Sequence, residues 1–395
     1  MPWKVQDVME ERIRFVARAI APERNMSQLC REFGISRSTG YHWVSRYQKV
    51  KSFRNLTERS RRPHRSPRRT PAALEERVRE LRNQYGWGAR KLEVLLSREG
   101  IRVQERTINR ILKRQGLVRK EEVQRPALKR FERERPNELW QMDFKGEYLY
   151  PGGWCYPLSI LDDHSRYAVG LYALKSPAFE PVQSSLVGTF EHFGVPEAML
   201  MDHGVPWWST TNGYGLTRLS IELIKQGIRL CFSAIGHPQT QGKVEQFHRS
   251  LSRAVRHHGR PQDWAQWQAL CKEFRQEYNY IRPHEALEMA VPASRYQPSR
   301  KQYHPRPRPW EYPEGSVVKK LNPQGCLYYR KRNYFVCEAL AGEPVCIQAV
   351  NEKLLVQYRH MYIREVDLVT HATRPLLSSR RQRKKTDLMG MRETA

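Results

Sequence analysis

Between residues 138 and 174 the chain leaves a helical rhythm for a strand rhythm, and this change restricts the folds open to it more than any other feature. ELWQMDF, WCYPLSIL and RYAVGLYAL are short apolar runs separated by Pro151-Gly152-Gly153 and by the polar residues 162–165. Runs of this length bounded by turn residues predict three adjacent strands in a meander. The pattern then alternates: a helix over PVQSSLVGTFEHFG ending at Gly194, a short strand EAMLM, a glycine-rich loop, a helix around LTRLSIELIKQG, and the strand IRLCFSA. Hairpins followed by β–α alternation predict a mixed sheet flanked by helices. Two further helices are expected over 240–258 and 263–281, the first with Val244, Phe247, Leu251 and Val255 as its apolar stripe.

Upstream of this core the pattern is helical throughout. Residues 5–48 read as three helices, with Gly34-Ile35 parting MSQLCREF from SRSTGYHWVSRY in the manner of a helix-turn-helix. In such a unit the third helix enters the major groove, which makes Arg37, Ser38, Tyr41, His42 and Arg46 candidate DNA contacts, while Leu29 and Trp43 pack the hinge. A small helical bundle with a solvated basic face is the plainer alternative. Residues 56–71 form a linker rich in Arg, Pro and Ser, with five arginines between positions 61 and 69. Of these Arg61, Arg62 and Arg65 are placed to follow a phosphate backbone or a narrow minor groove. Residues 72–117 repeat the helical theme as a second, winged-helix-like unit. Its last helix sets Arg106, Asn109, Arg110 and Lys113 on one face, opposite Ile108, Ile111 and Leu112, which makes them candidate contacts to bases or phosphates, with a solvated cationic face as the plainer alternative.

Charge narrows the partners. The chain of 395 residues carries 69 Lys and Arg against 41 Asp and Glu, a net +28, of which residues 1–136 hold +19. A field of this sign attracts polyanions and gains affinity on nucleic acid through counterion release. Seven scattered cysteines without a CxxC pair argue against a disulfide framework or a structural zinc site and fit a reducing compartment. The N-terminus has no apolar signal core, and no run approaches the roughly 20 apolar residues that span a bilayer. A cytoplasmic protein is expected.

Three acids stand in unusual settings: Asp143 in LWQMDFKG, Asp202 in AMLMDHGVPW and Glu245 in HPQTQGKVEQFHRSL. On a strand, Trp140, Met142 and Phe144 share one face, leaving Asp143 on the other beside Gln141. Asp202 closes an apolar run and so sits at the carboxyl end of a strand, where open α/β sheets bind ligands. Glu245 falls in the first turns of a helix that Thr240 is placed to cap, with Arg249 one turn on and Lys243 just before it as candidate DNA contacts. Two Asp and one Glu supply the hard oxygen ligands that a pair of magnesium ions requires for phosphodiester chemistry, with water and substrate phosphate completing the shells. Asp162 and Asp163 are read instead as turn residues with Asx-type backbone bonds and an ion pair to Arg166. His203 and His237 are read as supports of the site or of loop packing, and Trp207 and Trp208 as buried loop residues.

The stretches WQMDFKG, ILDDHSRYAVG, MDHGVPW, HPQTQGKVEQFHRSL and YNYIRPHEAL resemble the DDE transposase and retroviral-integrase superfamily, in particular the integrase-like insertion-sequence transposases of bacteria. The resemblance implies a multidomain α+β protein: N-terminal helix-turn-helix units over 1–55 and 72–117, a charged linker over 118–136, and an RNase H-like mixed α/β core over 137–300. The alternating pattern of 310–370 is read as a small β-barrel that binds DNA, and 371–395 as a basic disordered tail. It also implies that Asp143, Asp202 and Glu245 bind two Mg²⁺ ions, with Mn²⁺ a substitute. The partners implied are double-stranded DNA, both the terminal inverted repeats of a mobile element and target DNA, and further copies of the chain in at least a dimer. The implied activity is cleavage of the 3′ ends and their joining to target DNA. A DNA-binding regulator with an inactive site, or a nuclease that cuts without joining, are the rivals. Two features depart from the family: the Asp202–Glu245 interval is long and bears tryptophans, and Ser252 stands where many relatives carry a basic residue, so Arg249 or Arg253 would take that role.

Overall fold

In the computed structural model, residues 8–58, 70–118, 132–209, 215–233 and 242–377 are described. The linker arginines Arg61, Arg62 and Arg65, together with Thr240, His237 and residues 378–395 of the tail, lie outside them; residues 371–377, expected to be disordered, instead include a short strand at Thr373–Pro375 that pairs with the strand before it. The chain divides into two compact units, residues 1–71 and 72–395.

The first unit holds α1 (Val8–Ala19), α2 (Met26–Glu32) and α3 (Arg37–Gln48). Asn25 caps α2 and Ser36 caps α3, each accepting a backbone N–H of the first turn. Phe15, Val16, Leu29, Cys30, Trp43 and Val44 form its core, so Leu29 and Trp43 pack as expected. Gly40 allows α3 to close on its neighbours, because a Cβ there would sit 2.7 Å from Cys30 Sγ and 2.9 Å from Phe15.

The second unit begins with α4 (Ala72–Tyr85), α5 (Ala89–Arg98) and α6 (Glu105–Arg114), packed around Val78, Leu92, Leu96, Ile108, Ile111 and Leu112. The central sheet follows: β1 (Trp140–Phe144), β2 (Tyr148–Tyr150), β3 (Gly153–Asp162) and β4 (Ala168–Leu174), then α7 (Phe179–Phe193) and β5 (Ala198–Met201). A small hairpin of β6 (Trp208–Ser209) and β7 (Gly215–Leu216) precedes α8 (Arg218–Lys225), β8 (Arg229–Phe232), α9 (Gly242–His258) and α10 (Trp264–Gln276). β1, β3 and β4 are antiparallel neighbours, as the meander predicts, with the short β2 added against β3. β5 runs parallel to β1 and β8 parallel to β5, giving the path β2-β3-β1-β5-β8 with β4 beside β3.

Both faces of this sheet are covered, which is why its strands read as almost continuous apolar runs. Trp140, Met142, Ile160, Met199 and Met201 face α7 and α8, whereas Leu161, Ala168 and Leu171 meet Phe247 and Leu251 of α9 and Trp267 and Phe274 of α10. Each fully buried side chain of this size contributes about 1.5–3 kcal/mol of transfer free energy.

The C-terminal strands are β9 (Val317–Lys320), β10 (Cys326–Tyr329), β11 (Arg332–Phe335), β12 (Pro344–Val350), β13 (Lys353–Tyr358), β14 (Met361–Asp367) and β15 (Thr373–Pro375). The expected barrel is instead an open antiparallel sheet in the order β15-β14-β13-β12-β9, beside the separate hairpin β10-β11. Its inner residues Val345, Val356, Tyr358 and Ile363 join the same core as α8, so the sheet buries its apolar face against the central domain and needs no closure on itself. Lys225 on α8 also pairs with Glu343 at 2.7 Å, and the guanidinium of Arg359 donates to the Lys225 carbonyl at 2.9 Å.

Candidate active site

The three sequence-predicted acids lie near one another beside the carboxyl ends of β1 and β5, two interior strands of the central sheet. β1 pairs in register with β3 so that Asp143 lies opposite Ser159, on the face that α9 covers. Burial pushes the Asp143 carboxyl up to about 7; the charges of Asp202 and Glu245 push it the same way, while the Phe144 N–H and the Lys145 ammonium oppose them. Each of the other two acids therefore acts on Asp143 through space.

Asp202 follows the last residue of β5 and is held by the tryptophan loop. Its Oδ1 accepts the indole N–H of Trp207 at 2.7 Å and the backbone N–H of Gly204 at 3.0 Å. Trp207 is itself fixed, buried and stacked on Phe144 at 5.5 Å and 13°. A Cβ at Gly204 would lie 2.9 Å from Asp202 Oδ1, so a side chain here would push the Asp202 carboxylate out of place. Trp208 is also buried, packed edge-on with His203 and Phe232. The long interval between the second and third acids thus contributes an anchor for Asp202, a role that spacing alone does not reveal.

Glu245 stands in the first turn of α9, with Arg249 at 3.6 Å on the exposed side of the helix. One turn on, His248 is buried with Nε2 2.9 Å from Ser159 Oγ and Nδ1 3.8 Å from Asp143 Oδ2. Burial holds the imidazole down to about 3, so it stays neutral beside the carboxylate. Neither His248 nor Lys145 stood out in the sequence. Lys145 could have been found by strand period, two residues after Asp143, and His248 by helical period, three residues after Glu245.

Lys243 is drawn inward. Its Nζ lies 2.6 Å from Asp163 Oδ2, with Asp163 completely buried, and burial lowers the ammonium to about 8. Asp162 makes the expected turn bonds, accepting Ser165 N and Oγ at 2.8 and 2.5 Å and Asn137 N at 2.7 Å. Arg166, expected to form an ion pair with these acids, pairs with Glu132 at 2.8 Å and donates to the backbone carbonyls of Asp163 and His164. The reason is that Asp163 already receives Lys243, Gln141 and the Arg133 N–H. Ser252 is engaged by Tyr148 and by the His248 carbonyl.

Among the described residues, no three His, Cys, Asp or Glu side chains are gathered closely enough to hold a single metal ion as they stand. The donor set still fits a pair of hard cations. Asp143, Asp202 and Glu245 would supply the carboxylate oxygens, with water and phosphate as the remaining ligands, and the raised affinity of Asp143 for a proton marks a place where positive charge is favoured.

The candidate groove-reading residues are divided. Arg37, Ser38, Tyr41 and His42 of α3 are exposed, whereas Arg46 is half-buried, lying over Trp43 and donating to the Thr57 carbonyl. On α6, Arg106, Arg110 and Lys113 are exposed and Asn109 half-exposed, opposite the buried Ile108, Ile111 and Leu112. No helix among the described residues is long and apolar enough to cross a membrane.

Comparison with known proteins covers most of this architecture. Residues 133–238 and 226–292 match two integrase core domain families. Residues 11–64 match a helix-turn-helix domain and 39–112 a homeodomain-like domain. A 31.7 kDa uncharacterized protein of insertion element IS407 from Burkholderia multivorans is 26% identical over 213 residues, spanning 52% of this chain and 74% of that protein. Among solved structures, the HTLV-2 integrase catalytic core in complex with magnesium covers 42% of this chain and 99% of its own, at 14% identity and a TM-score of 0.33. A simian T-cell lymphotropic virus intasome chain covers 71% and 91% at 14% identity and 0.39.

Proposed function

The chain belongs to the DDE transposase and retroviral-integrase superfamily, among the integrase-like insertion-sequence transposases, and from that premise we propose that it cuts the 3′ ends of its element and joins them to target DNA. The observation that carries this reading is the convergence of Asp143, Asp202 and Glu245, from a strand, a strand end and a helix, on one side of the sheet.

Asp143, Asp202 and Glu245 would hold two Mg²⁺ ions. When bound, the pair supplies an activated water or 3′-hydroxyl and stabilises the entering and leaving oxygens of an in-line displacement. The protein residues do the rest. Trp207 and Gly204 hold one oxygen of Asp202 in place, and the other would be the one to meet an ion. His248, neutral and buried, fills the space behind Asp143 without competing for its charge. Lys145 and the exposed Arg249 lie where a scissile phosphate would bring negative charge.

The exposed faces of α3 and α6 carry the candidate contacts to the terminal repeats, a division of labour in which recognition and chemistry use separate modules. Joining two ends in concert requires at least two copies of the chain on the DNA. The test is purified protein with labelled terminal-repeat DNA. Mg²⁺-dependent 3′ cleavage and joined products are expected; binding without cleavage would make it a regulator, and cleavage without joining a nuclease.

A further inference from the structure

The fully buried Asp163 belongs to no step of the chemistry above, yet it is the hub of a closed network. Its Oδ1 accepts the Gln141 side-chain N–H at 2.7 Å, and its Oδ2 accepts the Arg133 backbone N–H at 2.8 Å and faces the Lys243 ammonium at 2.6 Å. Lys243 also donates to the Asp163 carbonyl at 2.9 Å. Gln141 closes the circuit, because its carbonyl oxygen accepts the backbone N–H of Val244 at 3.3 Å. One carboxylate therefore ties β1, the β3–β4 turn and the first turn of α9 together.

Two physical costs show that this arrangement is not there for stability. Taking both a carboxylate and an ammonium out of water costs more than their attraction commonly returns. A cation in the first turn of a helix also opposes the helix dipole. Such pairs earn their place by specifying one geometry, and here the geometry concerns the acids. Gln141 lies two residues before Asp143 on the same face of β1, and Lys243 lies two residues before Glu245. Successive residues of a helix turn by about 100°, so Lys243 and Glu245 flank the buried Val244 on its two sides. Locking Lys243 on one side sets where Glu245 points on the other.

We propose that Asp163 and Lys243, paired directly and tied to Val244 through Gln141, are positioning residues that fix the rotation of the first turn of α9 and so aim Glu245 at Asp143. Lys243 on this account does not contact DNA. The inference rests on the metal-site reading of the three acids. A second ring, Arg166 with Glu132, braces the same turn from outside.

The test compares Lys243→Gln, Asp163→Asn and the double variant with the full-length wild type. The readouts are Mn²⁺ binding by titration calorimetry, DNA affinity as a function of salt, and Mg²⁺-dependent cleavage. Disturbing a partner that orients a metal ligand typically weakens metal affinity by about 10–100-fold, and this is the expected loss for either single variant, with DNA affinity and its salt dependence unchanged. The double variant is expected to be no worse than the singles, since the pair acts as a unit. It leaves no lone buried charge, so it carries the same test should a single variant fail to fold. Wild-type metal affinity in the variants would overturn the proposal. So would a drop in DNA affinity with a salt slope reduced by about one, the signature of a lost phosphate contact. Absence of DNA cleavage by a wild type that binds Mn²⁺ would count against the proposed function and leave this comparison readable.

Discussion

Replacing Asp143 with asparagine should make the metal-free protein more stable while destroying its chemistry. The carboxyl sits at about 7 in the fold against an ordinary 3.8, because burial, Asp202 and Glu245 all oppose its charge. Its side chain is only 21% exposed, so solvent screens little of this cost. At about 1.4 kcal/mol for each tenfold change in proton affinity, the ionised form is disfavoured by up to about 4 kcal/mol. Water entry and relaxation reduce the part recovered by an amide to about 1–3 kcal/mol.

The sign follows from linkage. A raised carboxyl contributes stability that is complete below its unfolded value and disappears as pH rises through the folded one. The gap between Asp143→Asn and wild type should therefore open from about pH 4 and level off above about pH 7. Thermal denaturation in EDTA at pH 5 and pH 8 measures it. A gain of about 2–6 °C is expected at pH 8, on a scale of about 2 °C per kcal/mol for a domain of this size. Magnesium at about 1,000 times its dissociation constant should reverse the order by stabilising wild type by about 4.1 kcal/mol. A variant less stable than wild type in EDTA at pH 8, or a gap independent of pH, would refute the electrostatic reasoning.

Other consequences are open to direct measurement. Asp202→Asn or Glu245→Gln should lower cleavage of terminal-repeat DNA by about a hundred- to a thousandfold, the scale seen when a group aimed at transition-state charge is lost, while a filter-binding assay finds DNA affinity intact. Trp207→Phe removes the indole N–H on Asp202 and should weaken Mn²⁺ binding about 10-fold in calorimetry; unchanged binding would remove the loop from the site. Arg106→Ala or Arg110→Ala on α6 should lower affinity for terminal-repeat DNA more than for unrelated DNA if they read bases, and equally for both if they meet phosphate. Because metal binding requires the ionised carboxylate, Mn²⁺ affinity should fall as pH drops below about 7.

Much of the core could be read from the chain because burial imposes a period. Trp140, Met142 and Phe144 alternate with Gln141 and Asp143, and that alternation alone assigns the first acid to the face of β1 opposite the α7 and α8 side. The stripe of Val244, Phe247, Leu251 and Val255 did the same for α9. Period cannot say how a sheet ends, however. The alternation in 316–368 is equally that of a barrel or of an open sheet, and the outcome was decided by α8 offering an apolar surface to cover. Nor can it name partners across eighty residues: Arg166 is only three residues from Asp163 in sequence, yet Lys243 takes that carboxylate because α9 delivers it there. The tryptophan-bearing interval looked like a departure and is a support for Asp202, which only the indole-to-carboxylate bond reveals.

The central claim is that Asp143, Asp202 and Glu245 form one metal site. Crystals soaked with Mn²⁺ and measured at the manganese absorption edge test it most directly. Anomalous peaks about 2.1 Å from carboxylate oxygens of Asp143 and Asp202, with a second ion reaching Glu245 once DNA is bound, are the predicted result. Manganese bound elsewhere, or none at these carboxylates in a preparation that cleaves DNA, would contradict it.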